Sequence, residues 1–112
     1  METVTYKHYE WDREKAKLNK IKHGVSFKTA TAVFDDPNRI EQFDALHSWE
    51  EERWQVIGMT GDILFVVYTE RCDKIRLISA REATEDERSR YYGRLGILHK
   101  ESRRTVDGGG ES

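Results

Sequence analysis

The chain has few of the residues that cross-link a protein or anchor it in a membrane. It contains one cysteine, Cys72, so no disulfide can form within the chain, and we expect a reduced, cytoplasmic setting. No apolar run is long enough to cross a bilayer, and the first residues lack the layout of a signal peptide. The four histidines, His8, His23, His47 and His99, are far apart and show no regular spacing to carboxylates. We therefore expect neither a metal site nor a cofactor.

An excess of positive charge is also lacking, although the charges are unevenly distributed. The net charge is −2, from 19 basic and 21 acidic residues, which taken whole argues against a nucleic-acid-binding protein. Basic residues dominate between Arg13 and Lys28, acidic residues between Asp35 and Glu52, and arginines recur from Arg71 to Arg94. Such segregation produces either a basic functional surface or a solvated helix face, and both interpretations stay open.

Capping residues predict two helices near the N-terminus. Asp12 is a good N-cap for a helix that runs to His23 and ends at Gly24, the residue type that best adopts the left-handed cap. Ser26 caps a second, shorter helix, which Pro37 in "DDPN" terminates because proline restricts the residue before it.

Strand-like segments follow, and a third helix closes the predicted fold. "RIEQFDA" is a weak edge strand, "RWQVIGM" and "ILFVVYTE" flank a hairpin turn at Gly61-Asp62, and "KIRLISAR" completes the series. Thr84 and Glu87 form a capping box for the last helix. The prediction is an α+β domain over residues 1–101, with two N-terminal helices, an antiparallel meander of three to four strands and a C-terminal helix. Residues 102–112 are expected to be a disordered tail.

Pairing these strands assigns side chains to the two sheet faces. A two-residue loop at Gly61-Asp62 places Thr60 opposite Ile63, and directly opposed residues share a face. The open face then collects Arg53, Tyr68, Glu70 and Arg81. Arg76 lies on the other face, beneath the helices, where it needs an acidic partner such as Asp12, Asp36 or Glu87. A slip of one residue would exchange Arg76 and Arg81.

Three stretches resemble a known family. "YEWDREKAKLNKIKHGVSFKTATAVFDD", "EERWQVIGMTGDILFVVYTER" and "IRLISAREATEDERSRYY" are similar to the BrnT family of bacterial type II toxin–antitoxin systems. The resemblance implies a RelE-like fold and a ribonuclease that cuts RNA to stop translation and growth. It also implies a BrnA-like ribbon-helix-helix antitoxin, in a heterotetramer that contacts DNA only through the antitoxin.

A metal-free ribonuclease lets the RNA 2′-hydroxyl attack the adjacent phosphate, which requires a base, an acid and positive charge at the phosphate. We expect Arg53 and Arg81 at the phosphate, with Arg76 as the substitute in the slipped register. Candidates for proton transfer are Tyr68, Glu70, His23 and the lysines of the first helix, although His23 also suits a helix C-terminus as a capping cation. Candidates for RNA binding are Lys15, Lys20 and Lys22.

Two alternatives remain. One is a non-catalytic module that only binds the antitoxin. The other is a metal-dependent nuclease that uses Asp35, Asp36 and Asp44.

Overall fold

A computed structural model describes residues 2–95, which form a six-stranded mixed sheet with helices on both faces. The strands are β1 (Thr3–Tyr6), β2 (Tyr9–Asp12), β3 (Ile40–Phe43), β4 (Trp54–Thr60), β5 (Asp62–Arg71) and β6 (Lys74–Glu82). The helices are α1 (Arg13–His23), α2 (Phe27–Ala30) and α3 (Glu85–Leu95), with 3₁₀ turns at Thr31–Asp35 and Ala45–His47. The strand order is β1-β2-β6-β5-β4-β3. None of the helices in this part of the chain is long and apolar enough to cross a membrane.

The predicted RelE-like α+β domain, with two N-terminal helices and an antiparallel meander of three to four strands, is wrong. The hairpin β1–β2 precedes α1, and β2 pairs in parallel with β6, with Glu10 opposite Arg76. Thr3–Tyr6 reads "TVTY", a short run of β-branched and aromatic residues that was not recognised as a strand. The predicted tail at 102–112 lies outside the described residues.

The predicted boundaries of the first helix are confirmed. The Asp12 carboxylate accepts a hydrogen bond from the Lys15 backbone N–H at 2.9 Å, and Gly24 ends the helix in the left-handed conformation at φ 74°. Ser26 caps α2 as predicted, through a hydrogen bond from the Thr29 N–H. These features were predictable because each depends on residues within one helical turn.

Buried Asn19 connects α1 to the sheet. Its side-chain amide donates to the Ala80 carbonyl at 2.8 Å, and its oxygen accepts from the Ala80 N–H at 3.1 Å. β2 pairs with β6 only at Ile75 and Arg76, so it does not reach Ala80. The Asn19 side chain therefore satisfies the backbone N–H and C=O of Ala80 in place of a neighbouring strand.

The strand register differs from the prediction at two points. Thr60 pairs with Asp62 instead of Ile63, so Trp54 and Tyr68 share a face. A bulge at Ile78 then shifts β6, because Tyr68 pairs with Leu77 whereas Val67 pairs with Ser79. As a result Arg76 and Arg81 point to the same face, opposite Thr69 and Phe65 respectively.

One face, the helix face, carries the main core beneath α1 and α2. Its completely buried centre includes Ala30, Val33, Val56 and Val66. Gly58 permits the close approach, because a Cβ there would lie 2.9 Å from the Cβ of Val33.

The opposite face is covered at one end only. At this covered end, buried Tyr91 of α3 packs on Ile57, Ile63 and Phe65. The Tyr91 hydroxyl donates to Asp36, which also accepts from the Met59 N–H at 2.8 Å. The other end of the face, called the open end below, bears a groove that no described residue of α3 lines.

Candidate active site

The groove at the open end has a volume of about 420 Å³. Its lining residues come from β5, β6, the end of β2, the start of α1 and the loop before β4. They are Asp12, Lys15, His47, Trp49, Glu50, Glu51, Arg53, Thr69, Arg71, Arg76, Leu77 and Ile78.

The loop from Asp44 to Arg53, called the 44–53 loop, forms one wall and is closed on itself. The Asp44 N–H donates to the Arg53 carbonyl at 2.8 Å, which joins the two ends. Between them, the Ser48 hydroxyl donates to the Asp44 carbonyl at 2.6 Å and accepts from the Arg53 N–H at 2.9 Å. Thr69 of β5 donates to the Glu52 carbonyl at 2.6 Å and attaches the loop to the sheet. These hydrogen bonds therefore hold His47 and Arg53 in the wall of the same groove.

An aspartate orients the histidine of this loop. The Nδ1 atom of His47 lies 3.1 Å from both carboxylate oxygens of Asp44. The Asp44 side chain is 5% exposed, whereas that of His47 is 64% exposed. An ionised carboxylate only accepts hydrogen bonds, so the neutral tautomer that fits this contact has its hydrogen on Nδ1 and leaves Nε2 as an acceptor. In that tautomer Nε2 can accept a proton from a ligand.

Three arginines line the groove, and they differ in their partners. Arg76 forms an ion pair with Glu10 at 3.0 Å, in which the side chains are 11% and 16% exposed. Arg71 binds Glu51 at 2.8 Å, and this hydrogen bond lowers the pKa of the Glu51 carboxyl. Within residues 2–95, the half-buried guanidinium of Arg53 makes no hydrogen bond or ion pair. Arg53 therefore keeps its donors for a ligand.

The structure brings together three of the predicted site residues, Arg53, Arg76 and Lys15. Arg81 lies instead at the covered end, where its guanidinium binds both Glu87 oxygens at 2.8 and 3.0 Å and lies 4.1 Å from the Phe65 ring centre. Arg76 was predicted beneath the helices, but α1 and α2 cover the opposite face, that of Val66 and Leu77, so Arg76 lies on the groove face with Thr69.

The other predicted residues lie outside the groove. Tyr68 is buried in the main core, where its hydroxyl donates to Glu41 at 2.7 Å; burial and this bond raise its pKa. Glu70 is exposed near the end of β5, and His23 ends α1. Lys20 and Lys22 are exposed on α1 and do not line the groove.

Sequence reasoning missed His47, Arg71 and Trp49 as candidates, and it named Asp44 only in the metal-dependent alternative. The statement that no histidine has an ordered spacing to a carboxylate is wrong for "DALH", in which Asp44 and His47 are three residues apart. A 3₁₀ turn aligns side chains at this spacing, and that was the available signal. Among residues 2–95, no three His, Cys, Asp or Glu side chains form a group suited to a metal ion.

Comparison with known proteins identifies the family. A family model described as "Ribonuclease toxin, BrnT, of type II toxin-antitoxin system" matches residues 11–87. The chain belongs to the BrnT family. The crystal structure of the Brucella abortus ribonuclease toxin BrnT is similar, with a TM-score of 0.51 and 23% identity, covering 67% of this chain and 94% of that one. A comparison with curated proteins gave no match.

Every residue that lines the groove falls within the part of the chain that matches the BrnT model. The family assignment makes this protein a ribonuclease toxin of a toxin–antitoxin system, and a type II system implies an antitoxin partner. The likeness to the Brucella structure concerns the fold.

Proposed function

We propose that this BrnT protein is a metal-independent RNA endonuclease and that the groove of the open end is its active site. The observation that carries the proposal is the pairing of His47 with buried Asp44, in the same groove as Arg53, whose side chain makes no hydrogen bond or ion pair in the described chain. A base and an unoccupied phosphate-binding cation are the two groups that transesterification of RNA needs most.

In the proposed reaction, Nε2 of His47 takes the proton of the RNA 2′-hydroxyl. The freed oxygen attacks the adjacent phosphorus, a 2′,3′-cyclic phosphate forms and the bond to the 5′ oxygen breaks. Arg53 binds the phosphate through its guanidinium fork, and Arg76, which Glu10 holds in the same groove, offers a second guanidinium. These charges stabilise the negative charge that grows in the transition state.

The departing 5′ oxygen needs a proton, and Lys15 is proposed as its source. Arginine does not give up its proton in proteins, whereas a lysine ammonium does. Among the groove's lining residues, Lys15 is the lysine, and its backbone is fixed by the Asp12 cap.

The substrate is proposed to be cytoplasmic RNA, whose cleavage inhibits translation and growth. The proposed partner is a BrnA-like ribbon-helix-helix antitoxin in a heterotetramer, with DNA bound only through the antitoxin. Specific operator binding by the isolated toxin would contradict it.

The decisive experiment incubates purified protein with naked RNA, with and without a chelator. We expect cleavage in both, products with a cyclic phosphate end, and loss of cleavage by roughly a hundredfold or more in His47→Gln. Cleavage that disappears with chelator and returns with magnesium would refute metal independence. No cleavage under any condition would favour the non-catalytic antitoxin-binding module.

A further inference from the structure

Trp49 is the most exposed large apolar side chain among residues 2–95, at 87%. It is nevertheless held in place, because its indole Nε1 donates to the Leu46 carbonyl at 2.8 Å. This bond uses the indole's one hydrogen-bond donor, fixes one edge of the ring and leaves its large apolar surface in water. A tryptophan that is both fixed and exposed is suited to contact a ligand.

The other two tryptophans contact neighbouring aromatic rings within the fold. Trp11 is buried and meets Phe27 edge-on, with ring centres 5.9 Å apart. Trp54 meets Phe43 edge-on at 5.2 Å. Trp49 has no such ring contact within the described chain, so its exposed ring has no packing role there.

The surroundings of Trp49 indicate the chemistry of the ligand. It lies in the 44–53 loop between His47 and Arg53 and lines the same groove as Arg71 and Arg76. Three carboxylates also line the groove, but that of Glu51 is paired with Arg71 and that of Asp12 caps α1, whereas the Arg53 side chain makes no hydrogen bond or ion pair in the described chain. A fixed aromatic ring in the same groove as this guanidinium matches single-stranded nucleic acid, in which planar bases alternate with phosphates. A protein partner would be favoured by a continuous apolar patch, but the groove around Trp49 is mostly charged.

We propose that Trp49 stacks on the unpaired base next to the cleaved phosphate, which makes it a positioning and specificity residue that selects single-stranded RNA. The inference rests on the proposed function and names the substrate class of the same site. Bases in a duplex are already stacked on one another and cannot cover the indole, so paired RNA would be a poor ligand.

The test measures binding instead of cleavage. Short 2′-O-methyl RNA oligonucleotides have no 2′-hydroxyl to attack, and their affinity is followed by fluorescence anisotropy. We expect Trp49→Ala to bind roughly tenfold more weakly, a typical loss for one base stack, and Trp49→Phe to keep most of the affinity. Leu46→Ala is the matched control, because Leu46 lies in the same loop and is 77% exposed but does not line the groove.

A set of oligonucleotides, each lacking one base, separates stacking from general loop damage. One abasic position should weaken binding to the wild type and have no further effect on Trp49→Ala. Equal affinity of Trp49→Ala and wild type, or no sensitive abasic position, would overturn the proposal. So would a variant that binds RNA normally but no longer binds the antitoxin. Stacking with no cleavage of ordinary RNA would refute the proposed catalysis and leave the base-binding role intact.

Discussion

Two arginines on one sheet face illustrate how differently its two ends are built. At the covered end, Arg81 is held by both oxygens of Glu87 and lies on the Phe65 ring. At the open end, Arg53 is fixed through its backbone and makes no side-chain bond within the described residues. Both looked like phosphate-binding groups in the sequence. The difference shows that an arginine's availability depends on its neighbours, which strand position alone does not reveal.

The largest expected effect concerns the stability of the covered end. Tyr91→Ala removes a buried ring from Ile57, Ile63 and Phe65, and should lower the free energy of unfolding by about 3 kcal/mol. The measurement is urea denaturation at neutral pH. Cleavage per folded molecule should stay within about twofold of wild type, because the groove lies at the other end.

Tyr91→Phe is the matched control. It keeps the ring and loses only the hydroxyl bond to Asp36, so a loss of about 1 kcal/mol is expected. A normally stable but inactive Tyr91→Ala would show that the covered end takes part in the reaction.

The second prediction contrasts the two arginines in activity. Arg53→Ala should reduce the cleavage rate about a hundredfold with little change in stability, because its guanidinium makes no hydrogen bond or ion pair in the described chain. Arg81→Ala should leave the rate per folded molecule nearly unchanged and lower the stability, because Glu87 loses its ion pair and keeps only the hydrogen bond from the Thr84 N–H. Initial rates on one RNA substrate, normalised to folded protein, provide the comparison.

Arg53→Lys sharpens this contrast. A lysine keeps the charge but not the planar fork, so partial recovery would support bidentate phosphate binding. A stable, inactive Arg81→Ala together with an active Arg53→Ala would move the site to the covered end.

The third prediction tests how His47 is oriented. Asp44→Asn offers an amide where the imidazole needs a carboxylate, so both the ring orientation and the hydrogen position on it are disturbed. We expect cleavage to slow roughly tenfold or more, with RNA affinity unchanged. Single-turnover rates and binding of uncleavable RNA separate the two effects.

Ser48→Ala tests whether the loss comes from the loop instead. This variant removes the hydroxyl that joins Asp44 to Arg53 but leaves the aspartate–histidine pair intact. If Ser48→Ala slows cleavage as much as Asp44→Asn does, loop closure accounts for the effect.

Local features of this fold were predictable from the sequence, whereas the sheet register and topology were not. The N-cap at Asp12, the left-handed Gly24 and the Thr84–Glu87 capping box each depend on at most a few neighbouring residues. The face of Tyr68 depends on whether one or two residues form the turn at Gly61, and a change of one residue moves every side chain to the other face.

The candidate site was only partly predictable for the same reason. Arg53 was recognised, and it does line the groove. Arg76 lies on the groove face because α1 and α2 cover the other face of β5 and β6, and its partner Glu10 comes from the parallel pairing of β2 with β6. That pairing joins Glu10 and Arg76, which are 66 residues apart, so no local sequence pattern indicated it. The Asp44–His47 contact was local and could have been found from its spacing.

The smallest expected effect is a difference between the two ends of the sheet face in how much stability each loses as the pH falls. Burial raises the pKa of Asp36, but hydrogen bonds from Tyr91, Asn38 and Met59 outweigh it, and the net pKa is below the ordinary value of 3.8. A carboxyl whose pKa is lower when folded stabilises the protein above its unfolded pKa, and this contribution is lost as the pH falls through the folded value. Asp36→Asn should therefore cost about 1 kcal/mol at pH 7 and pH 5, and progressively less below about pH 4.

Glu51→Gln is the matching change at the open end. The Arg71 hydrogen bond also lowers the pKa of Glu51, but the pair is partly exposed and water screens it, so its acid-dependent loss should be smaller than that of Asp36→Asn. Urea denaturation of both variants and the wild type at pH 7, 5 and 3.5 makes the comparison. If Asp36→Asn costs the same at all three pH values, its charge does not stabilise the covered end. A larger acid-dependent loss for Glu51→Gln would mean that the open end is the more tightly organised of the two.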